Sequence, residues 1–257
     1  MAKDFTDQMN RTIRLEKIPR RIVSLVPSQT ELLYDLGLHE EVVGITKFCI
    51  HPEEWFRSKT RVGGTKHIDL EKVMALQPDL IIGNKEENTK EDIEAIEKLA
   101  PVWMSDIYTI EDALEMIRSI GAICGKTEIG QALSDKIQEG FRDFGREPLK
   151  GTFLYFIWRE PDFVAGTQTF ISDLLESTGL ENLCRTERYP EWNTHEGEPD
   201  FVLLSTEPYP FKFEHVKEMQ QKYPKSKVGL IDGEMCSWYG SRMLKAPVYL
   251  RKFFTLG

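Results

Sequence analysis

Residues Thr127–Phe144 read TEIGQALSDKIQEGFRDF, and their period decides how the rest of the chain is organised. Ile129, Leu133, Ile137, Phe141 and Phe144 recur at intervals of four, four, four and three, which places them on one face of a helix. Thr127 suits an N-cap, and Gly145 can end the helix in the left-handed conformation. At 1.5 Å per residue the helix reaches about 26 Å, roughly the width of a small domain. On either side of it the sequence alternates between strand-like and helix-like segments. The pattern predicts either two α/β lobes with one long helix between them or a single continuous α/β domain containing that helix. Gly130 and Gly140 lie inside it, and each costs about 1 kcal/mol relative to Ala.

N-terminal to the helix, RIVSLV (Arg21–Val26), VVGIT (Val42–Thr46), DLIIG (Asp79–Gly83) and PVWMS (Pro101–Ser105) are short apolar runs of the buried parallel-strand type. Ser28-Gln29-Thr30-Glu31 has the form of a capping box that opens a helix through Leu36. Asp69, Thr89 and Thr109 are placed to cap further helices. Residues 1–19 are polar and read as a loose or edge segment. C-terminal to the helix the same alternation restarts with TFLYFIW (Thr152–Trp158), FVLLS (Phe201–Ser205) and Lys227–Asp232, while residues 183–199 show no period. Strand–helix alternation of this kind predicts mainly parallel sheets. The expected division is an N-terminal lobe over 20–125, a linking helix over 126–147 and a C-terminal lobe over 148–257.

The 257 residues carry a net charge of −9, the opposite of the basic surface that nucleic acid demands. Cys49, Cys124, Cys184 and Cys236 are too far apart for a Cys-x-x-Cys zinc site or a disulfide framework. No apolar run approaches the roughly 20 residues of a membrane span. The first twenty residues hold no secretory signal, so the expected location is cytoplasmic as written, and periplasmic or otherwise extracytoplasmic if a signal has been removed. No Gly-x-Ser-x-Gly elbow, P-loop or Gly-x-Gly-x-x-Gly appears, and nothing indicates catalysis or a required cofactor.

In open α/β sheets ligands bind beyond the carboxyl ends of the strands. Phe48, Cys49 and His51 follow the second apolar run, and Glu86, Glu87 and Asn88 follow the third. Trp158 and Arg159 end the first run of the C-terminal half. Glu207 and Tyr209 follow its middle run, and Trp238, Tyr239 and Arg242 its last. Aromatic and charged residues thus collect at the same end of both expected sheets, a mixture that suits a large, partly aromatic ligand held between the lobes. Cys49 and His51 face the same side if extended, so they could share a borderline metal with a carboxylate from a neighbouring loop; alternatively His51 is a hydrogen-bonding wall residue.

The ordered set RIVSLVPSQTELLYDLG, VVGITKFCIHP, DLEKVMALQPDLIIGNKEEN, FIWREPDFVAGTQTFISDLLESTGLENL, RYPEW, LLSTEPYPF and IDGEMCSWYGSR resembles the class III solute-binding proteins of ABC importers, the helical-backbone metal receptors. The resemblance runs from about residue 20 to 255. It implies two Rossmann-like lobes joined by one backbone helix, a cobalamin, haem-like or ferric siderophore ligand in the cleft between them, and delivery to an ABC permease. One glutamate per lobe is implied in docking. The first matches Glu71. The second falls near Glu196, where relatives carry a helix and this chain has only Asn193–Asp200.

Three functions are therefore expected in turn. The first is a solute-binding protein, with Phe48, Trp158, Tyr209, Trp238 and Tyr239 as stacking surface and Arg159, Arg242, Glu207, Glu86, Glu87 and Asn88 as polar groups. The second is a cytoplasmic metal- or cofactor-binding protein of the same fold, using Cys49 and His51 without a transporter. The third is a chelatase-like enzyme.

Overall fold

The computed structural model describes residues 2–192 and 197–256 and divides the chain into two compact units. The first holds residues 1–106, 112–135 and 239–242; the second holds 107–111, 136–238 and 243–257.

The first unit opens on a hairpin, β1 (Lys3–Thr6) and β2 (Thr12–Leu15), where the sequence promised only a loose segment. Asp7 is what orders it. Its buried carboxylate accepts from the backbone N–H of Met9 (3.0 Å) and Arg11 (2.8 Å) within the turn, and from Met104 N (3.3 Å) in the sheet. Next come β3 (Ile22–Ser24), α1 (Pro27–Asp35), β4 (Val42–Ile45), α2 (Glu53–Ser58) and β5 (Thr60–Arg61). A small hairpin, β6 (Gly63–Gly64) and β7 (His67–Ile68), precedes α3 (Leu70–Ala75), β8 (Leu80–Asn84), α4 (Lys90–Ile96), β9 (Val102–Ser105) and α5 (Ile110–Ile123). The sheet order is β5-β4-β3-β8-β9, every pair parallel. Strand β8 is buried along its whole length, as helices covering both faces of a parallel sheet require. The chain runs outward from β3 in one direction and resumes at β8 in the other, so the topological switch point lies between those two strands.

Asp69 and Thr89 cap α3 and α4 as expected, accepting from Lys72 N and Asp92 N. The capping box at Ser28 does not form. Pro27 is already the first residue of α1, with Val26 at the N-cap and no side-chain cap. Proline fits there because the N–H it lacks would have had no helical partner. Glu31 is thereby freed for another bond, described below.

The long helix α6 spans Thr127–Arg146, and the boundary between the two units falls within it. Lys126, not Thr127, occupies the N-cap position, since its carbonyl accepts the first helical bond from Gly130 N (2.9 Å). Gly145 does not end the helix. The apolar stripe is also corrected in its first half: Ile129 is 47% exposed, and Gly130 and Ser134 are buried in its place. The cause is a close approach of α5. A methyl on Gly130 would stand 3.2 Å from Gly121 Cα and 3.0 Å from Ile117 O, so only glycine lets the two helices meet. Further along, Ile137, Phe141 and Phe144 are buried as the period predicted.

In the second unit, β10 (Thr152–Trp158), β11 (Phe163–Val164), α7 (Phe170–Glu176) and β12 (Glu181–Asn182) are followed by β13 (Phe201–Ser205), α8 (Phe213–Lys222), β14 (Lys227–Ile231) and α9 (Gly233–Ser237). A 3-10 turn (Ser241–Leu244) and α10 (Ala246–Leu256) complete the chain. The order is β11-β10-β13-β14, parallel except for β11, with β12 also paired to β10. Both β11 and β12 fall in stretches that showed no strand-like period. Among the core side chains, Leu154, Phe156, Val202 and Leu204 project from the central strands onto Trp192, Met219 and Tyr223. Here the switch point lies between β10 and β13, beside Trp158 and Glu207.

Candidate functional site

At the carboxyl end of the first sheet the polar residues are locked to one another. Asn84, the last residue of β8, accepts from Glu86 N (2.8 Å) and Glu87 N (3.0 Å) through Oδ1 and donates through Nδ2 to Ser105 Oγ (2.9 Å). Asn88 closes the loop: its Oδ1 accepts from Asn84 N (2.9 Å) and its Nδ2 donates to Thr65 O (3.0 Å). Both amides are buried. Asn88 is therefore a loop staple, contrary to its expected role as a ligand anchor. Glu86 is exposed and Glu87 half-buried at the tip of that loop.

Arg242 is also engaged. Its guanidinium forms a two-pronged ion pair with Glu31, Nε to Oε2 at 2.7 Å and Nη2 to Oε1 at 3.1 Å, and the pair is largely buried. The sequence placed Arg242 as a ligand anchor; in the structure it secures residues 239–242 within the first unit. Tyr239 in the same segment is half-buried. Phe48, by contrast, is 50% exposed, with the Lys47 ammonium 5.0 Å from its ring centroid.

Cys49 and His51 do not make a metal pair. Cys49 is fully buried, its sulfur 3.1 Å from the hydroxyl oxygens of both Thr30 and Thr46. Burial pushes its pKa up, so it stays a thiol rather than a thiolate ligand. His51 is only half-buried, and among the described residues no group of three His, Cys, Asp or Glu side chains is placed to hold a metal ion.

The carboxyl end of the second sheet differs. Trp158 is 44% exposed and meets Tyr209 edge-on, with ring centroids 5.7 Å apart; Tyr209 in turn abuts Phe211 at 4.7 Å and His215 at 5.7 Å. Arg159 turns away from this row to pair with Glu218 (2.8 Å) and Glu160 (3.2 Å), so it too is not a spare anchor. Glu207, beyond β13, accepts through Oε1 from Ser237 Oγ (2.8 Å) and from the Trp238 indole N–H (3.0 Å). Burial raises its pKa, with Glu234 and Asp232 adding to the effect, while the two hydrogen bonds oppose it. The carboxylate thus fixes the Trp238 ring in orientation.

Sequence reasoning passed over Asn84, Ser105, Gln29 and Ser237. Asn84 carried a usable signal, an Asn ending a strand two residues before a turn, which is the pattern of an Asx-turn. Gln29 carried none. It lies wholly buried in α1, donating to Ser105 Oγ, while its Oε1 has no hydrogen-bond partner among the described residues.

Glu71 lies exposed in the first turn of α3, flanked by Leu70 and Met74, which are also exposed. Glu196 lies outside the described residues, as does His195. No helix among the described residues is long and apolar enough to cross a membrane.

With this geometry in view, the comparisons with known proteins fall into place. The family described as periplasmic binding protein matches residues 22–202. The chain belongs to that family. Like other periplasmic binding proteins it is a substrate-binding protein rather than an enzyme. An uncharacterized ABC transporter substrate-binding lipoprotein of Bacillus subtilis is 30% identical over 190 residues, which make up 68% of this chain and 59% of the relative. A vitamin B12-binding protein of Vibrio campbellii is 26% identical, over 64% of this chain and 61% of its own. The chain therefore spans about three fifths of the length of these curated relatives. Among solved structures, a possible iron-binding (periplasmic solute-binding) protein of Staphylococcus epidermidis superposes with a TM-score of 0.80 at 21% identity, covering 93% of this chain and 100% of that one. At that identity the likeness is one of fold.

Proposed function

We propose that this periplasmic binding protein is the solute-binding component of an ABC importer and that its cargo is a metal chelate with broad ring or catechol-like faces: a corrinoid, a haem-like tetrapyrrole or a ferric siderophore. The observation that carries this reading is the open aromatic row at the switch point of the second sheet, Trp158 against Tyr209. Exposed indole and phenol rings offer a large contact face at little conformational cost. Near them Glu207 holds Trp238 by its indole N–H, so that ring is positioned before any ligand arrives. Phe48 adds an exposed ring at the strand ends of the first unit. The names of the relatives, one an ABC substrate-binding lipoprotein and one a vitamin B12-binding protein, point to the same class of cargo and to a location outside the cytoplasm.

Delivery to a permease rests on Glu71. An exposed carboxylate between exposed Leu70 and Met74 has the make-up of a small docking patch, apolar with one charge to set register.

The test is titration of the protein with cyanocobalamin, haemin and a set of ferric siderophores, followed by quenching of tryptophan fluorescence and by calorimetry. One of them should bind saturably at one equivalent, and Trp158→Ala should weaken it at least tenfold. If none binds while the protein is folded, the chelate reading is wrong.

A further inference from the structure

The second unit has a pocket far from its strand carboxyl ends. It opens beside Phe201 and Lys227, the first residues of β13 and β14, and is closed on the other side by α10. Its volume is about 420 Å³, inside the range of small-molecule sites. Its walls are almost entirely apolar. Phe201 and Phe254 meet edge-on at 5.1 Å, Phe254 and Phe253 at 5.1 Å, and Phe253 lies 6.1 Å from Tyr249. Gly229 explains how the rings come so close to the strand: a methyl there would stand 3.2 Å from Phe253 Cζ.

Two cations stand at the rim of this apolar space, Lys227 and Lys252. The Lys227 ammonium is 6.0 Å from the Phe201 ring centroid, and neither lysine has a carboxylate partner among the described residues. In a chain of net charge −9, two uncompensated lysines on one rim are a local inversion of the overall field. Aromatic walls alone would welcome a cation, but the lysines repel one. A second copy of the chain seated symmetrically on this groove would bring each lysine pair against its own likeness. The occupant that satisfies both wall and rim has an apolar body and a single negative head.

We propose that this pocket binds a free aliphatic carboxylate of medium chain length, its tail among Phe201, Phe253 and Phe254 and its head between Lys227 and Lys252. The site is separate from the chelate site and does not depend on the import role.

Isothermal titration of the full chain with sodium decanoate, well below its micellar concentration, tests this. Decanoate should bind at one equivalent, 1-decanol at least tenfold more weakly, and decyltrimethylammonium not detectably. The surface double variant Lys227→Glu/Lys252→Glu should weaken decanoate at least tenfold with an unchanged circular dichroism spectrum, and Gly229→Leu should block it by filling the space. Equal binding of decanol and decanoate would overturn the proposal. So would decanoate binding that survives the charge reversal, uptake only onto phosphatidylglycerol vesicles, or a dimer in sedimentation that the reversal abolishes.

Discussion

The carboxyl ends of the two sheets are built from similar residue types and use them in opposite ways. In the first unit Asn84, Asn88, Ser105, Glu31 and Arg242 spend their hydrogen-bonding capacity on one another and on backbone. In the second unit Trp158 stands open, and the one interior carboxylate, Glu207, is used to hold another aromatic ring. The difference teaches that a polar residue at a strand end is as readily part of the scaffold as of the binding face. What separates the two is whether a partner lies within reach in the fold. The first unit supplies rigidity at its switch point and the second supplies surface.

The comparison is broken most severely at Glu31 and Arg242. Replacing either with Ala leaves a buried charge without its partner, which costs about 3–5 kcal/mol. Arg242→Ala should therefore shift the urea midpoint strongly, whereas Glu31→Met/Arg242→Met should recover most of the loss. If Arg242→Ala left stability unchanged and weakened ligand binding instead, the arginine would belong to the binding face after all.

A smaller effect is expected at Asn84. Asn84→Ala removes the acceptor of Glu86 N and Glu87 N and the donor to Ser105, and leaving such buried groups unsatisfied costs about 1–3 kcal/mol. Hydrogen exchange should locate the loosening at residues 85–88, and Asn84→Asp should restore the two turn bonds but not the bond to Ser105. Uniform loosening across the first unit would show that the lock is not local.

These two sites also measure how far the sequence could be read. The parallel strands were legible because burial on both faces forces continuous apolar runs, and TFLYFIW became β10 with the same bounds. Thr89 and Asp69 were legible as caps because the rule needs only local geometry. The Ser28–Glu31 box failed for a non-local reason: the Glu belongs to an arginine 211 residues away, and no period or spacing encodes that. Ile129 failed similarly, since the buried face of α6 is set there by Gly121 on α5. Of the candidate site, the aromatic residues were found because they stand where the strand-end rule puts them. The charged ones were over-counted because their partners were invisible.

On the open side of the comparison, Trp158→Ala should change stability by less than about 1 kcal/mol, since the ring is already half in water. Its loss should appear in chelate affinity, about tenfold or 1.4 kcal/mol. A large stability loss with unchanged affinity would move Trp158 to the scaffold and erase the contrast between the units.

The smallest effect, and the most diagnostic of how the second unit is poised, is the pH dependence of Glu207. Burial raises its pKa in the folded chain, and the hydrogen bonds from Ser237 and Trp238 do not fully offset that. The folded state therefore holds the proton more tightly than the unfolded state does. Stability must fall as pH rises from the ordinary glutamate range through the raised value, and it levels off above that. Glu207→Gln keeps an acceptor for Ser237 and Trp238 while removing the charge. The variant should be more stable than the parent at neutral pH, and the difference should close on acidification below the unfolded pKa. Urea midpoints measured across that range would reveal it. A parent more stable than the Gln variant at neutral pH would mean that the charged hydrogen bonds outweigh burial, and that Trp238 is held by a carboxylate fully at ease in its site.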